Sequence, residues 1–118
     1  MIRATINRDK AGRIVSFALK GHAESAEYGE DLICCAASTI AQTVIGTLDE
    51  WIGENVKYTL EDGNIFCGIS PYHTFDGETA IKIEGLMDSA NIGFRQLELT
   101  YGSEYVTVSE MREDMNHD

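Results

Sequence analysis

The chain has 118 residues, 43% of them hydrophobic, and carries 9 basic against 20 acidic residues, a formal net charge of −11. This length and composition predict one globular domain with its own core, and the charge argues against direct nucleic-acid binding while favouring a basic partner. Three cysteines, two of them adjacent, do not suggest a disulfide framework. The polar start of the chain and the lack of a long apolar run predict a cytoplasmic protein with no signal peptide and no membrane span.

Alternation of apolar and polar residues predicts five strands, the first four of them forming two hairpins. A turn with Asp9 and Gly12 joins the first two strands, and a Glu-Asp-Gly turn joins the next two. The predicted strands cover residues 1–7, 13–20, 55–60, 64–69 and 105–109.

Apolar residues at helical spacing predict two helices, over residues 31–52 and 77–101. The first helix has its apolar stripe at Ile33, Ala37, Ile40, Val44, Leu48 and Trp51. The second has a long apolar seam that suits the core or a partner subunit, at Ala80, Ile83, Met87, Ala90, Phe94, Leu97 and Tyr101.

The element order ββαββαβ predicts a two-layer α/β sandwich of the α+β type, with a mainly antiparallel sheet packed on two helices. We expect a single domain over residues 1–110, followed by a polar tail over residues 111–118.

Residues 21–38 contain the strongest candidates for chemistry. His22 can accept a proton near neutral pH, and Cys34 lies within the first turn of the predicted helix, where the helix N-terminus favours a thiolate. A 100° step per residue places Cys34 at the edge of the apolar stripe and Cys35 away from it. This placement favours Cys34 as the nucleophile.

Asp31 and Ser38 each have two interpretations. Asp31 is placed either to cap the first helix or to orient the imidazolium of His22. Ser38 lies one turn beyond Cys34, where its hydroxyl either bonds back to a helix carbonyl or supports the sulfur or a substrate carbonyl.

The spacing of these residues closely resembles that of the ribosomal-processing cysteine protease (Prp) family. The matching pattern is Gly21-His22-Ala23, Gly29, Asp31, Leu32-Ile33, Cys34 and Ser38. Cys35 departs from it, because family members commonly carry a small residue there.

The resemblance implies a cytosolic endopeptidase that removes a short N-terminal extension from a large-subunit ribosomal protein. Cys34 and His22 would be its catalytic residues, Gly21 and Gly29 the flexible ends of a segment that moves when substrate binds, and the enzyme a homodimer. The cut would follow a short apolar, aromatic-containing motif.

The remaining candidate residues have weaker support for a chemical role. Cys67 shares a strand face with Ile65 and is expected to be an inert core thiol, and His73 lies in a loop where no motif requires it. Adjacent cysteines splay apart on a helix and no Cys-x-x-Cys or His-x-x-x-His spacing appears, so we expect no metal site. There is also no Gly-rich phosphate loop, and we expect no cofactor.

Two other classes of function fit the same residues. One is a non-catalytic module that binds a basic ribosomal protein, with Cys34 as a packing thiol. The other is a redox sensor in which Cys34 and Cys35 form a strained vicinal disulfide.

Overall fold

The computed structural model describes residues 1–21 and 28–113, with the backbone alone for residues 28–31. Within these residues the fold has two long helices and five strands, with short 3-10 turns at Gly53–Asn55 and Tyr72–Thr74. In chain order the elements are β1 (Ile2–Arg8), β2 (Ile14–Lys20), α1 (Tyr28–Ile52), β3 (Val56–Glu61), β4 (Asn64–Ile69), α2 (Gly77–Tyr101) and β5 (Val106–Arg112).

The strands form one sheet in the order β3-β4-β2-β1-β5. The β1–β2, β2–β4 and β3–β4 pairs are antiparallel, and only the β1–β5 pair is parallel. The helices lie side by side, with α1 against β3 and β4 and α2 against β5 and β2. The predicted α+β sandwich with a mainly antiparallel sheet is therefore confirmed.

The core lies between the sheet and the two helices. Side chains on opposed residues of neighbouring strands share a face, so the pairs Ile6↔Phe17 and Phe17↔Cys67 form one continuous buried row. Phe17 meets Phe94 of α2 with ring centroids 5.5 Å apart and planes inclined by 60°, a favourable tilted geometry. This ring contact fixes α2 to the middle of the sheet.

The buried stripe of α1 is rotated from the predicted one. Trp51, predicted on the stripe, is 46% exposed, whereas Ala41 and Ile45 are buried. At 100° per residue the buried positions centre about 50° from the Ile33–Trp51 line, on the side of Cys34. The complete buried set on α1 is Ile33, Ala37, Ala41, Val44, Ile45 and Leu48.

The first helix also begins earlier than predicted. It starts at Tyr28, so Asp31 lies inside the first turns and the predicted N-cap position for Asp31 is wrong. The side chain of Asp31 is outside the described part of the chain.

The second helix has the predicted bounds and a well-defined start. The Asp76 carboxylate accepts a hydrogen bond from the Thr79 backbone N–H at 2.8 Å, which lowers the pKa of that carboxyl. The predicted seam faces the core at Ile83, Met87, Ala90 and Phe94, while Tyr101 at its end is 48% exposed. These seam residues therefore pack in the core of the subunit itself.

The last strand is longer than predicted, because β5 pairs with β1 as far as Arg112. Glu110 accepts hydrogen bonds from Arg8 of β1 and Arg95 of α2. The bond from Arg8 is the main reason that the pKa of the Glu110 carboxyl is lowered. Residues 114–118 of the predicted tail lie outside the described residues, and the division into a domain and a tail stays a prediction.

One segment in the described part of the chain, Leu32–Asn55, is long and apolar enough to cross a membrane, with 24 residues and a mean hydropathy of 1.4. It corresponds to most of α1, whose apolar side packs on the sheet. Ala41 and Leu48 of this helix are completely buried in that contact. Its hydrophobicity is therefore accounted for by the core of the domain.

Candidate active site

A small cavity of about 50 Å³ lies between α1 and one end of the sheet. Cys34 and Ser38 line it from the helix, one turn apart. The opposite wall is formed where β1 begins, where β2 ends and where β3 turns into β4. Its lining residues on that side are Ile2, Leu19, Gly21, Asp62, Gly63, Asn64 and Ile65.

The two adjacent cysteines face in different directions. Cys34 is half-buried and packs against the core, whereas Cys35 is exposed, and both are free thiols. The sulfur at the helix edge can meet a substrate while its backbone stays anchored in the fold. The predicted orientations of Cys34 and Cys35 are confirmed.

Gly21 holds the chain at the cavity wall in a conformation that favours glycine, with φ of +93°. Its N–H donates to the Gly63 carbonyl oxygen at 3.0 Å, which ties the end of β2 to the β3–β4 turn. A Cβ at this position would overlap the carbonyl oxygen of Met1. The backbone is therefore fixed immediately before His22.

The structure brings three of the predicted site residues, Gly21, Cys34 and Ser38, to one cavity. His22, which is bonded directly to Gly21, lies outside the described residues, as does the side chain of Asp31. Gly29 is the second residue of α1.

The hydroxyl of Ser38 differs from the other hydroxyls along α1. Those of Thr39, Thr43 and Thr47 each donate to the carbonyl oxygen four residues earlier, at 2.7–2.8 Å. Within the described ranges the Ser38 hydroxyl has no such bond. It is half-buried at the cavity, which leaves it available to a sulfur or a substrate carbonyl.

The early start of α1 changes the predicted role of the helix terminus. Cys34 is the seventh residue of the helix, in its second turn. The effect of a helix terminus falls off within the first turn, and only the first four N–H groups lack a helical partner. Stabilisation of a Cys34 thiolate by the helix N-terminus, predicted from the sequence, is therefore weaker than expected.

The sequence did not identify the β3–β4 turn as part of the site. Gly63, with φ of +71°, marks the turn locally, but only the register Leu19↔Ile65 and Lys20↔Asn64 brings it beside Cys34. Asn64 accepts a hydrogen bond from Lys20 and donates one to Glu61 at 3.2 Å. This turn contributes a carboxylate, Asp62, and an amide to the cavity wall.

The other candidates lie elsewhere. Cys67 is fully buried on β4, and burial raises the pKa of its thiol to about 12, which confirms the predicted core thiol. His73 lies at the other end of the sheet. In the described part of the chain, no group of three or more His, Cys, Asp or Glu residues could hold a metal ion.

All residues of the candidate site lie within a part of the chain that matches the model of a known family. Residues 1–107 match the family model described as cysteine protease Prp. The chain is also 30% identical over 102 residues to the ribosomal processing cysteine protease Prp of Bacillus subtilis (strain 168), covering 86% of this chain and 90% of that protein.

Solved structures share the fold. The crystal structure of SMU.848 from Streptococcus mutans is 28% identical, covers 96% of both chains and has a TM-score of 0.75. That of an essential ribosomal processing protease Prp from S. aureus in complex with a substrate peptide has a TM-score of 0.77 at 17% identity, covering 94% of this chain and 100% of that one. At this lower identity the likeness concerns the fold alone.

Replacing Gly21 with Ala is expected to destabilise the protein by about 1–3 kcal/mol, because the residue is left-handed and its Cβ would overlap Met1. Denaturant unfolding measures the loss. Gly53→Ala is the matched control, since Gly53 has φ of +52° but nothing within 4 Å of its Cβ position. Equal losses in the two variants would show that the contact with Met1 contributes nothing.

The buried thiol of Cys67 and the exposed thiol of Cys35 are expected to react differently with iodoacetamide. Cys67 should stay unmodified in the native protein near neutral pH, because it is buried and has a pKa of about 12. Exposed Cys35 in the same molecule serves as the internal control. Peptide mass mapping after timed labelling gives the rates, and labelling of Cys67 as fast as Cys35 would contradict its placement in the core.

Proposed function

Because the chain belongs to the cysteine protease Prp family, we propose that it is an endopeptidase with Cys34 as nucleophile and His22 as general base and acid. The observation that supports this assignment is that residues from both parts of the proposed site line one cavity. Cys34 and Ser38 line it from one side, and Gly21, the covalent neighbour of His22, lines it from the other.

In the proposed mechanism His22 takes the proton of the Cys34 thiol. The resulting thiolate attacks the scissile carbonyl carbon, and the imidazolium of His22 then protonates the departing amine. This leaves the acyl group on the sulfur as a thioester. Water, deprotonated by His22, releases the acid and restores the thiol.

Ser38 and Asp31 support this chemistry in different ways. The Ser38 hydroxyl, one turn from Cys34, donates to the sulfur or to the substrate carbonyl, and its lack of a partner in the described ranges supports that role. Asp31 orients the imidazolium of His22. Gly21 and Gly29 bracket the segment that carries His22.

The proposed substrate is the precursor of a large-subunit ribosomal protein, cut at a short N-terminal extension in the cytoplasm. The B. subtilis relative is named for ribosomal processing, and the net charge of −11 suits a basic substrate. Apolar surface adjoins the cavity, because Leu60 is 46% exposed and opposes Ile65, a lining residue. This surface suits apolar substrate side chains.

We expect wild-type protein to remove one discrete N-terminal segment from the extended ribosomal protein of the same genome. Cys34→Ala and His22→Ala should each lower the cleavage rate by about 10³-fold or more, because each removes a group that takes part in bond making or proton transfer. Intact mass of the product locates the cut.

The matched control is Cys35→Ala, which removes the exposed neighbouring thiol and should leave cleavage unchanged. Loss of cleavage in this variant while it remains folded would overturn the single-nucleophile assignment. If no folded form of the protein cleaves the precursor but wild type still binds it, the interpretation as a non-catalytic binding module replaces the interpretation as a protease.

We further propose that the enzyme is a homodimer that pairs through the outward side of α2. Ile81, Ile92 and Leu99 on this helix are 72%, 58% and 76% exposed. Spacings of eleven and seven residues place them within about 20° of one another around the helix axis. A two-fold interface needs only one such patch, because each copy presents the same surface.

Ile92→Lys is expected to shift the protein from dimer to monomer, since it places a charge in the middle of this stripe. Light scattering during size exclusion measures the mass against the 13.0 kDa of one chain. Tyr58→Lys, at a 46% exposed position on β3, is the control and should remain dimeric. A wild-type protein that is monomeric over a wide concentration range would refute the proposal.

A further inference from the structure

A second cavity, larger than that of Cys34, lies apart from the proposed active site. It is an open cleft of about 690 Å³ at the end of the sheet where β1 finishes, between the β1–β2 turn, the end of β4 and the end of β5. The cavity of Cys34 lies at the start of β1, beside Ile2. Six residue steps of strand separate the two ends, a distance of about 20 Å.

The cleft has the opposite charge to the rest of the protein. Four of the nine basic residues of the chain line it, against two acidic ones, Asp9 and Glu113. This is a formal surplus of two positive charges in a protein whose net charge is −11. The basic residues are Arg8, Lys10, Arg13 and Arg112.

Two carboxylates near these cations, Asp9 and Glu110, are engaged in holding the structure, and a third, Asp88, lies close enough to act on Arg8. Asp9 accepts hydrogen bonds from the backbone N–H groups of Ala11 and Arg13 at 2.9 and 3.0 Å, which closes the β1–β2 turn. Glu110 joins Arg8 to α2. Lys10 is exposed and forms no ion pair with the described residues.

Arg13 is held in place before any ligand binds. Its guanidinium lies 4.5 Å from the centroid of the Tyr72 ring and 3.3 Å from the Asp9 carboxylate. The Tyr72 hydroxyl donates to the Ile14 carbonyl oxygen at 2.6 Å, which fixes the ring. The Nε of Arg13 is buried and has no hydrogen-bond partner among the described residues, but the side chain as a whole is 35% exposed and lines the cleft. The exposed part of the guanidinium is therefore available to an anion.

Part of the cleft lining is apolar. Val15, Ile69, Pro71 and Met111 line it beside the basic residues. A volume of this size suits a small molecule, and few charged groups on an apolar surface are typical of ligand sites. We propose that this cleft binds a small anion, a phosphate or a carboxylate, carried on an apolar body.

The proposed ligand differs from the proposed substrate. A basic ribosomal protein would be repelled by the surplus positive charge of the cleft, and the distance from Cys34 separates the two sites. The proposal therefore stands whether or not the chain cleaves peptides.

The test uses full-length protein and three probes that share one ring system, 2-naphthyl phosphate, 2-naphthoate and uncharged 2-naphthol. Chemical shifts of backbone amides report binding and its location. Both anions should give saturable shifts in the β1–β2 turn at millimolar concentration, and the tighter of the two identifies the preferred acid group. Binding of 2-naphthol as tight as that of the anions would overturn the proposal, as would no saturable shift from either anion.

Lys10→Gln should weaken anion binding roughly threefold, and Arg13→Gln about tenfold, because the guanidinium is the better-ordered donor. Lys10 is exposed and makes no ion pair, so its variant should fold normally. Lys57→Gln, an exposed position on β3, removes the same charge elsewhere and should leave the affinity unchanged. Equal weakening by Lys10→Gln and Lys57→Gln would show that overall charge, and not this cleft, attracts the anion.

Discussion

The close contact between α1 and the sheet determines where every other part of the proposed site can lie. Ala37 and Ala41 are nearly or completely buried, and such small side chains let the helix backbone approach the strands. On its other side α1 meets α2, where a Cβ on Gly93 would stand 3.1 Å from the Cδ1 of Ile40. The helix therefore has little freedom to rotate, and this holds Cys34 at the border between core and solvent.

The second constraint is the connection between the two hairpins. The bond from Gly21 to Gly63 joins the end of β2 to a turn more than forty residues away in the chain, and Lys20 bonds to Asn64 beside it. These contacts make a rigid wall opposite α1. Cys34 on a packed helix and Gly21 at the end of a fixed strand are thus carried by separate rigid elements, which suits a proposed site that must hold two groups in register.

Local pattern predicted most of the fold, and long-range packing decided the rest. Strand alternation and the apolar stripes of the two helices predicted the seven long elements of the described residues, because burial on one side leaves a clear period in the sequence. The rotation of α1 depends on which side chains the sheet and α2 can accommodate, so Trp51 could not be placed from periodicity alone.

The parts of the two cavities that come from distant segments could not be predicted. The β3–β4 turn at Asp62 and Gly63 lies at the proposed site because of the register between β2 and β4, and no local sequence signal encodes that register. The basic cleft was missed for the same reason, since it gathers the β1–β2 turn, Tyr72 and Arg112 from three distant parts of the chain.

The parallel pairing of β1 with β5 has a consequence for biosynthesis. Ile2 lies opposite Val106, which is 1% exposed, so the sheet is incomplete until the segment around residue 106 has left the ribosome. Until then β1 has an open edge, and Glu110 is not present to join Arg8 to Arg95. In a nascent chain, β1 therefore pairs on this side only after α1 and α2 have been synthesised, so closure of the sheet waits for the strand farthest from β1 in the sequence.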